Sequence, residues 1–319
     1  MATNCSLNGN YTANCESSTS FVCPYDPFVL LHVPKNLYYT YFVTAALNVV
    51  FAATSFCGNS LVLMALLRTP SLHSPSKALL RSLALSDLFV GLFVQPMYIA
   101  YCLSGTSENH WVRCISWFIY PLLMDYFVAV SFLTMVAISI DRYLALRLRA
   151  SYRSVVTIKK VNITVVSIWI TSLVFPITRV IAGKLTLLLS CTFFALFVVI
   201  PTFTHCTIHR TLQRHGRQVT NQFFLHRKES HLSIHQYKKS VSAMRYLYIA
   251  LLISYTPITC VSLLYIKQDP SMAAILLPAG NVATTLLFFN SSLNPVLYCW
   301  RIRQVRGAML NLADSFICC

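Results

Sequence analysis

This 319-residue sequence carries very little charge for its length. Only 11% of its residues are charged and 56% are hydrophobic, whereas soluble domains carry about 25% charged residues. A water-soluble fold could not cover so much apolar surface with so few charges, which excludes an ordinary soluble globular protein. Glycine and proline are not abundant either, with eight and thirteen residues, which excludes a collagen-like chain and Gly/Pro-rich disorder.

Acidic residues are especially few. Nine Asp and Glu face 25 Lys and Arg, which gives a net charge of +16. Such an excess can indicate a nucleic-acid partner, but the chain has no polar surface large enough to present the charge in that way. A membrane protein with a basic cytoplasmic face accounts for the same number. We therefore expect membrane lipids, and not nucleic acid, around this chain.

Long apolar runs are what the sequence does contain. A membrane-spanning helix needs about 20 mostly apolar residues. Seven runs meet this requirement: residues 37–67, 78–103, 114–146, 161–181, 185–207, 244–266 and 272–300. The alternating pattern of a membrane barrel is missing. The sequence predicts an all-α seven-transmembrane helix bundle over 37–300, after an N-terminal tail (1–36) and before a short amphipathic cytoplasmic helix and tail (301–319).

The distribution of basic residues predicts the orientation. Five of the 25 lie on the side that holds residues 1–36, and the other 20 lie on the opposite side, which should be cytoplasmic. The tail carries two glycosylation acceptors, Asn4 and Asn10, which function only outside the cytoplasm. The chain begins with polar residues instead of a cleavable signal peptide. We expect a multi-pass plasma-membrane protein with an extracellular N terminus.

Polar side chains inside the predicted spans point to function, because they are costly in lipid. Asp87 lies in the middle of helix 2. Neighbouring spans supply further oxygen-bearing residues: Asn59, Ser131, Asn290, Ser291 and Asn294. A carboxylate among hydroxyl and amide oxygens suits a hard monovalent cation or a proton. A polar cluster that only holds helices together, worth on the order of 1 kcal/mol per bond, is the alternative.

Two further motifs lie at the predicted cytoplasmic side. Asp141-Arg142-Tyr143 ends helix 3, where adjacent opposite charges can pair until a competitor displaces one of them; a solvated boundary charge is the alternative. Helix 7 carries Asn294-Pro295 one turn before Tyr298, and helix 6 carries Tyr255 and Pro257. Proline inside a helix permits a kink. Two kinked helices beside a basic face describe a bundle that could open inward.

Together these motifs resemble the rhodopsin-like family of G-protein-coupled receptors over residues 40–310. The motifs that carry the resemblance are Gly58-Asn59, Asp87, Asp141-Arg142-Tyr143, Trp169, Pro257 and Asn294-Pro295-Val296-Leu297-Tyr298. The stretch from Cys299 to Arg306 is most similar to the adenosine-type receptors, and the short second extracellular loop is similar to that of the melanocortin type.

The resemblance implies a receptor that activates a heterotrimeric G protein when a ligand favours the outward-swung helix 6. Arg142 would contact the G protein, and Tyr298 would swing inward to support it. An allosteric sodium ion would bind Asp87, Ser131, Asn290, Ser291 and Asn294. The resemblance implies neither covalent catalysis nor a required cofactor.

Several positions depart from the family pattern. Cys114 lies 28 residues before Arg142 instead of 25, and its usual partner cysteine is missing; Cys191 is the nearest candidate in sequence. Phe197 stands in place of a proline in helix 5, His205 in place of a tyrosine, and Tyr255 in place of the helix 6 tryptophan. Lys238 and Lys239 lie where an acid often locks Arg142. We therefore expect measurable basal signalling.

The extracellular ligand, a small molecule or a peptide, cannot be named from the sequence. Asp125 is the only carboxylate in the outer half of helix 3; it is either the counter-ion of an amine or basic peptide or a structural partner of Arg179. The predicted ligand-binding residues are Met124, Asp125, Val128, Tyr255 and Ser262.

The cytoplasmic surface offers further sites. Cys318 and Cys319 follow an amphipathic stretch (302–316) and are candidates for palmitoylation. The His-rich connection after helix 5 predicts a solvated basic loop near anionic lipid. Arrestin, as a further candidate partner, would use a set of hydroxyl residues: Thr220, Ser230, Ser233, Ser240 and Ser242. A seven-span transporter or channel, and a receptor-like protein that binds without signalling, are the alternative functions.

Overall fold

The structure, a computed structural model, describes residues 4–7, 13–16, 37–68, 74–104, 110–148, 151–221, 228–265, 273–301 and 306–309. In the N-terminal tail, strands β1 (Asn4–Leu7) and β2 (Ala13–Glu16) pair antiparallel, with Cys5 opposite Cys15. This hairpin is an addition to the predicted all-α fold. The remaining described elements are helical.

The described residues form ten α-helices, in chain order α1 (Tyr38–Arg68), α2 (Ser74–Phe89), α3 (Gln95–Ser104), α4 (His110–Leu148), α5 (Tyr152–Val155), α6 (Ile158–Thr171), α7 (Val174–Ile181), α8 (Gly183–Asn221), α9 (Lys228–Tyr265) and α10 (Ala273–Arg301). A π-helical turn (Val90–Val94) joins α2 to α3. The elements form seven bundle helices: α1, α2 with α3, α4, α6 with α7, α8, α9 and α10. We number these helices 1 to 7, and call the end near residue 38 the outer end.

Five described helical runs are long and apolar enough to cross a membrane: Tyr38–Arg68, Ser74–Ser104, Cys114–Leu148, Ile158–Ile181 and Leu188–Thr211. Helix 6 contributes a shorter apolar helix, Tyr248–Leu264. Helix 7 packs against helices 6 and 1 and so closes the ring. Helix 3 contacts helices 2, 4, 5 and 6 and occupies the centre of the bundle.

Proline explains the two irregular helices. Pro96 cannot donate a backbone hydrogen bond, and the turn before it is π-helical, with Gln95 N–H bonded to the Val90 carbonyl. Pro176 acts in the same way on helix 4. The turn at Ser172 and Leu173, four and three residues earlier, separates α6 from α7.

Glycine allows two close helix contacts. A Cβ on Gly58 of helix 1 would lie 2.7 Å from Cγ of Pro295 in helix 7. A Cβ on Gly91 of helix 2 would lie 2.9 Å from the backbone oxygen of Ala52 in helix 1. Gly91 therefore lets helices 1 and 2 approach backbone to backbone, and Gly58 lets the Pro295 side chain of helix 7 pack against helix 1. These close contacts bring the polar residues at this level together.

The connection between helices 5 and 6 differs from its prediction. Helix 5 continues to Asn221 and helix 6 begins at Lys228, so the expected basic loop is largely helical. The reason lies in the sequence, because no proline occurs between Pro201 and Pro257 and the basic residues there favour helix. After helix 7, residues 306–309 form a helical turn. The Cys299 thiol donates a hydrogen bond to Met309 Sδ at 3.2 Å.

Cys114 is disulfide-bonded. Cys191, its nearest candidate partner in sequence, is a free thiol, as are the other described cysteines of the spans, Cys57, Cys102, Cys206, Cys260 and Cys299. The bond therefore does not join Cys114 to Cys191.

Candidate functional site

Three polar regions follow one another along the bundle axis. An open cavity lies in the outer half, a buried polar cluster lies in the middle, and an ion pair lies at the inner end. Aromatic side chains pack between the cavity and the lower regions. Each region contains residues that the sequence singled out.

The outer cavity has a volume of about 250 Å³. Helices 3 to 7 line it, and four of the five predicted ligand residues are among its walls: Met124, Asp125, Tyr255 and Ser262. The fifth, Val128, packs against the hydrophobic core instead, because it lies one turn deeper on helix 3 than Met124 and Asp125. The structure therefore does not bring Val128 to this cavity, and its assignment as a ligand-binding residue stays a prediction.

Asp125 forms an ion pair with Arg179 on the wall of this cavity. Arg179 donates from Nε to Asp125 Oδ2 at 2.5 Å and from Nη2 to Oδ1 at 3.0 Å. This two-point geometry between helices 3 and 4 is the stronger form of an Arg–carboxylate pair. Of the two roles predicted for Asp125, the structure shows the ion pair with Arg179.

Tyr255 forms the floor of the cavity and the top of an aromatic stack. Its ring centroid lies 4.2 Å from that of Phe132, and Phe132 stacks on Phe197 at 4.1 Å with an angle of 10° between the rings. Phe197, the residue that replaces a proline, is buried in this stack. The stack continues through Tyr248 to His205 near the inner half. Helices 3, 5 and 6 are therefore in contact through rings from the cavity inward.

Tyr248 also holds helix 5 at its proline. Its hydroxyl donates to the Val198 carbonyl at 2.9 Å and lies 2.7 Å from Thr202 Oγ1. Pro201 interrupts the backbone hydrogen bonds of this turn, and a side chain from helix 6 bonds to the backbone there. No pattern in the sequence indicates this contact.

The middle region centres on Asp87, which is buried at 1% exposure. Asn294 Nδ2 donates to Asp87 Oδ2 at 2.5 Å, and Ser291 lies beside the carboxylate. Ser131 and Ser86 hydroxyls are 3.0 Å apart. Helices 2, 3 and 7 thus meet through residues predicted to act together.

Asn59 and Ser55 of helix 1 complete the cluster. Ser55 Oγ donates to the Asp87 carbonyl at 2.8 Å, and Asn59 Nδ2 donates to the Ser291 carbonyl at 3.1 Å. The oxygens Oδ1 of Asn59 and Asn290 are buried without a hydrogen-bond partner among the described residues. One carboxylate with spare neutral oxygens is a donor set that fits a sodium ion. Among those same residues, no group of three His, Cys, Asp or Glu side chains gathers elsewhere to hold a metal.

The inner region centres on Asp141, which is 4% exposed. Its Oδ2 accepts from Arg142 Nη2 at 2.6 Å and from Ser76 Oγ at 3.1 Å, and Arg142 Nη2 also contacts Ser76 Oγ. The third residue of the motif, Tyr143, faces elsewhere and accepts a bond from Arg147 at 2.8 Å. Asp and Arg are therefore paired, and helix 2 contributes to the pair.

Tyr152 of α5 is part of this region, and sequence reasoning missed it. Its hydroxyl donates to Asp141 Oδ1 at 2.5 Å. Burial, with help from the Asp141 carboxylate, raises the pKa of Tyr152 to about 12. The hydroxyl therefore stays protonated and remains a donor at neutral pH. A tyrosine ten residues after Arg142 was the available signal, but nothing in the sequence placed α5 beneath helix 3.

Two side chains predicted to act as switches are buried without hydrogen bonds. Tyr298 is 1% exposed and His205 is 8% exposed. The Tyr298 hydroxyl and both His205 ring nitrogens have no partner among the described residues. Such groups are costly to bury unpaired, at about 1–3 kcal/mol each. This cost marks both residues as candidates to change partners.

The remaining predicted residues lie in the N-terminal tail, in helices 5 and 6, and at the C terminus. Asn10, Cys318 and Cys319 lie outside the described residues, and Asn4 lies in β1. Lys238 and Lys239 lie in the described part of helix 6, as do Ser230, Ser233, Ser240 and Ser242, and Thr220 lies in helix 5. The predictions of glycosylation, palmitoylation and arrestin contact stay predictions.

Comparison with known proteins places this geometry in context. The sequence model described as "7 transmembrane receptor (rhodopsin family)" matches residues 58–187. Adenosine receptor A3 of Bos taurus is 23% identical over 295 residues, covering 86% of this chain and 90% of that receptor. G-protein coupled receptor 12 of Mus musculus is 26% identical over 283 residues, covering 82% and 77%. The crystal structure of squid rhodopsin superposes with a TM-score of 0.78 at 18% identity over 95% of this chain and 93% of that chain.

Proposed function

Since the chain belongs to the rhodopsin-like family of G-protein-coupled receptors, we propose that it activates a heterotrimeric G protein through outward movement of helix 6. The match to the family model and to the adenosine receptors confirms the resemblance that the motifs predicted. The structural similarity to squid rhodopsin confirms the seven-helix fold. The chain is therefore a multi-pass membrane receptor. Because the family is one of receptors, the transporter or channel alternative loses support.

The inner-end ion pair carries this proposal. Arg142 is tied to Asp141 and Ser76 by charge-assisted hydrogen bonds, which are the stronger kind. A protein that binds the inner end of the bundle would compete for this guanidinium. The arrangement therefore describes a closed state that a partner can open.

The unpaired polar atoms near the inner half supply a reason for a second state. The Tyr298 hydroxyl and the His205 nitrogens lack partners in this conformation. A movement of helix 6 that admits water or brings these groups together would pair them. That gain offsets part of the loss of the Arg142 bonds, so the two states can lie within a few kcal/mol, the usual range for such equilibria.

The outer cavity is the proposed ligand site. A ligand that contacts Tyr255 acts on a ring packed against Phe132 of helix 3, and the stack leads to Tyr248 of helix 6. A ligand that contacts Tyr255 more favourably in the open state than in the closed state shifts the equilibrium towards the open state. Tyr255 takes the place of the family's helix 6 tryptophan in this role.

Sodium is the proposed allosteric ion of the middle region. Asp87, Ser131, Asn290, Ser291 and Asn294 would hold it, and the spare oxygen of Asn290 favours such a role. The ion would supply positive charge beside the Asp87 carboxylate. Because Asp87 also bonds Asn294 of the kinked helix 7, binding there would favour the closed state.

The remaining proposals concern topology. The excess of basic residues on one side supports an extracellular N terminus in the plasma membrane. Asn4 and Asn10 would then be glycosylated, and Cys318 and Cys319 would be available for palmitoylation. Arrestin, if it binds, would meet the inner ends of helices 5 and 6.

Nucleotide exchange on purified Gα subunits tests the proposed function. The receptor in lipid nanodiscs is expected to accelerate exchange on at least one Gα subtype without ligand, because Lys238 and Lys239 stand where an acid would lock Arg142. Arg142→Ala should abolish that exchange, and Lys159→Gln, a change at an exposed residue of α6, should keep it. Exchange indistinguishable from Arg142→Ala on every Gα subtype would favour the non-signalling alternative.

A further inference from the structure

The outer cavity has a charge pattern that restricts its ligand. Among the described residues that line it, Asp125 and Arg179 are the two charged side chains, and the others are apolar or carry hydroxyl or thiol groups. The described part of the lining therefore carries no net charge. A lone cation or a lone anion would bring an unbalanced charge into a partly buried site, which is unfavourable.

The Asp125–Arg179 pair leaves hydrogen-bonding capacity on both partners. Arg179 uses Nε and Nη2 for Asp125, so the edge formed by Nη1 and the second Nη2 hydrogen remains open among the described residues. Each Asp125 oxygen accepts one of these bonds and can accept another. The cavity wall thus presents open N–H donors of Arg179 beside the two acceptor oxygens of Asp125.

Thr186 adds an unused group. It is 3% exposed, it lines the same cavity, and its Oγ1 has no hydrogen-bond partner within the described part of the chain. A buried hydroxyl without a partner is uncommon in folded proteins. A bound molecule with a polar group would satisfy it.

We infer that the cavity binds a small zwitterion, a molecule that carries one carboxylate and one ammonium group as an amino acid does. The carboxylate would meet the open edge of Arg179, the ammonium group would meet the free acceptor positions of Asp125, and Thr186 would bond a polar atom of the ligand. Net charge stays zero in the filled site. A volume of about 250 Å³ lies below the range of about 300–1,000 Å³ that is typical of ligand pockets, which favours a molecule of this size over a peptide.

A simple amine fits this site less well. Both oxygens of Asp125 are already bonded to Arg179, so an amine that took Arg179's place would leave the guanidinium without its counter-ion. The exchange would give up both charge-assisted hydrogen bonds of the two-point pair. This inference rests on the proposed function only in taking the cavity as the ligand site.

Thermal stabilisation of the purified receptor by a matched chemical panel tests the inference. The panel consists of the standard amino acids with uncharged side chains, which are zwitterionic, together with their methyl esters (cationic), their N-acetyl derivatives (anionic) and their N-acetyl methyl esters (neutral). At least one amino acid should raise the melting temperature, and its three derivatives should not. No stabilisation by any amino acid, or equal stabilisation by a derivative, would overturn the inference.

Three variants locate the binding. Asp125→Asn and Arg179→Gln should each weaken the binding of the active amino acid at least tenfold. Thr186→Val removes a hydroxyl that bonds to nothing in the free receptor, so it should leave the free melting temperature unchanged or higher while weakening binding several-fold. This variant keeps the test decisive if the ion-pair variants do not fold. Unchanged affinity in Thr186→Val, or in either ion-pair variant that folds, would overturn the assignment.

The readout is binding without a G protein. Failure of amino-acid binding therefore contradicts this inference alone, whereas failure of nucleotide exchange contradicts the proposed function alone. Lys159→Gln, a loss of one exposed charge outside the cavity, is the matched control and should bind as the unmodified receptor does.

Discussion

The hydroxyl of Tyr152 donates a 2.5 Å hydrogen bond to Oδ1 of Asp141, which joins the short α5 helix to the inner end of helix 3. Asp141 therefore has donors on both oxygens, with Arg142 and Ser76 on the other. This carboxylate is the common partner of helices 2 and 3 and of α5. Its surroundings lead to the first two predictions.

Tyr152→Phe should lower stability with a defined pH dependence. The pKa of Tyr152 is raised to about 12 in the folded protein, above the ordinary value of about 10. A raised pKa means that the stabilisation is complete below about pH 10 and is lost as the pH rises towards 12. The melting temperature of the receptor should exceed that of Tyr152→Phe by a constant margin from about pH 6 to about pH 9, and the margin should shrink above about pH 10. A margin that already falls between neutral pH and pH 9 would contradict this assignment.

Asp141→Asn should raise basal signalling. The substitution removes the charge that holds Arg142, and a hydrogen bond to a charged group is worth about 1.5–3 kcal/mol. If about 1.5 kcal/mol of this stabilisation is lost, the equilibrium constant between the closed and open states changes roughly tenfold. Ligand-free nucleotide exchange by purified receptor measures the effect, with Ser76→Ala expected to give a smaller increase. Exchange that stays at the level of the unmodified receptor in Asp141→Asn would show that the pair does not hold the closed state.

Gly91→Ala should destabilise the bundle. The added Cβ would meet the backbone oxygen of Ala52 at 2.9 Å, and backbone cannot move aside as a flexible side chain can. Overpacking of this kind costs about 1–3 kcal/mol. Gly280→Ala is the matched control in helix 7, because its Cβ would meet only Val261 Cγ1 at an ordinary 3.8 Å. The melting temperature should fall for Gly91→Ala and should stay or rise for Gly280→Ala; equal changes would argue against close packing of helices 1 and 2.

Sodium should stabilise the receptor through Asp87. At a sodium concentration ten times its dissociation constant, binding adds about 1.4 kcal/mol. The melting temperature in sodium chloride should exceed that in choline chloride at the same ionic strength, and Asp87→Asn should remove the difference. Thr54→Val, on the exposed face of helix 1, should retain it. A sodium effect that survives in Asp87→Asn would place the ion elsewhere.

The sequence predicted much of this architecture because lipid imposes simple rules. Long apolar runs located the helices, and the costly polar residues Asp87, Asp141 and Asn294 marked regions that the structure does bring together with their neighbours. The position of Asp125 in the outer half of helix 3 pointed to a ligand site, and the structure places Asp125 at a cavity. Val128, predicted with it, packs against the core because it lies one turn deeper. Proline positions gave the kinks, yet not that Pro96 is accommodated by a π-helical turn.

Contacts between distant segments were the part that the sequence could not predict. Tyr152 at Asp141 and Tyr248 at Val198 depend on the placement of one helix against another, which no local pattern records. The helical extensions after helix 5 and before helix 6 were missed, because charge and histidine content suggested a loop although helix-breaking residues were scarce. The open edge of Arg179 is likewise a consequence of pair geometry, and neither residue type nor spacing reveals it.

The distance between the inner ends of helices 3 and 6 tests the central claim most directly. Spin labels at Arg147 and Arg245, two exposed positions, would report it in a receptor whose exposed cysteines Cys57, Cys206 and Cys260 are replaced by serine. Double electron–electron resonance should show a longer distance gaining population when nucleotide-free G protein is added, and Arg142→Ala should prevent that gain. A distance distribution that stays the same with and without G protein, in a receptor that binds it, would contradict the account.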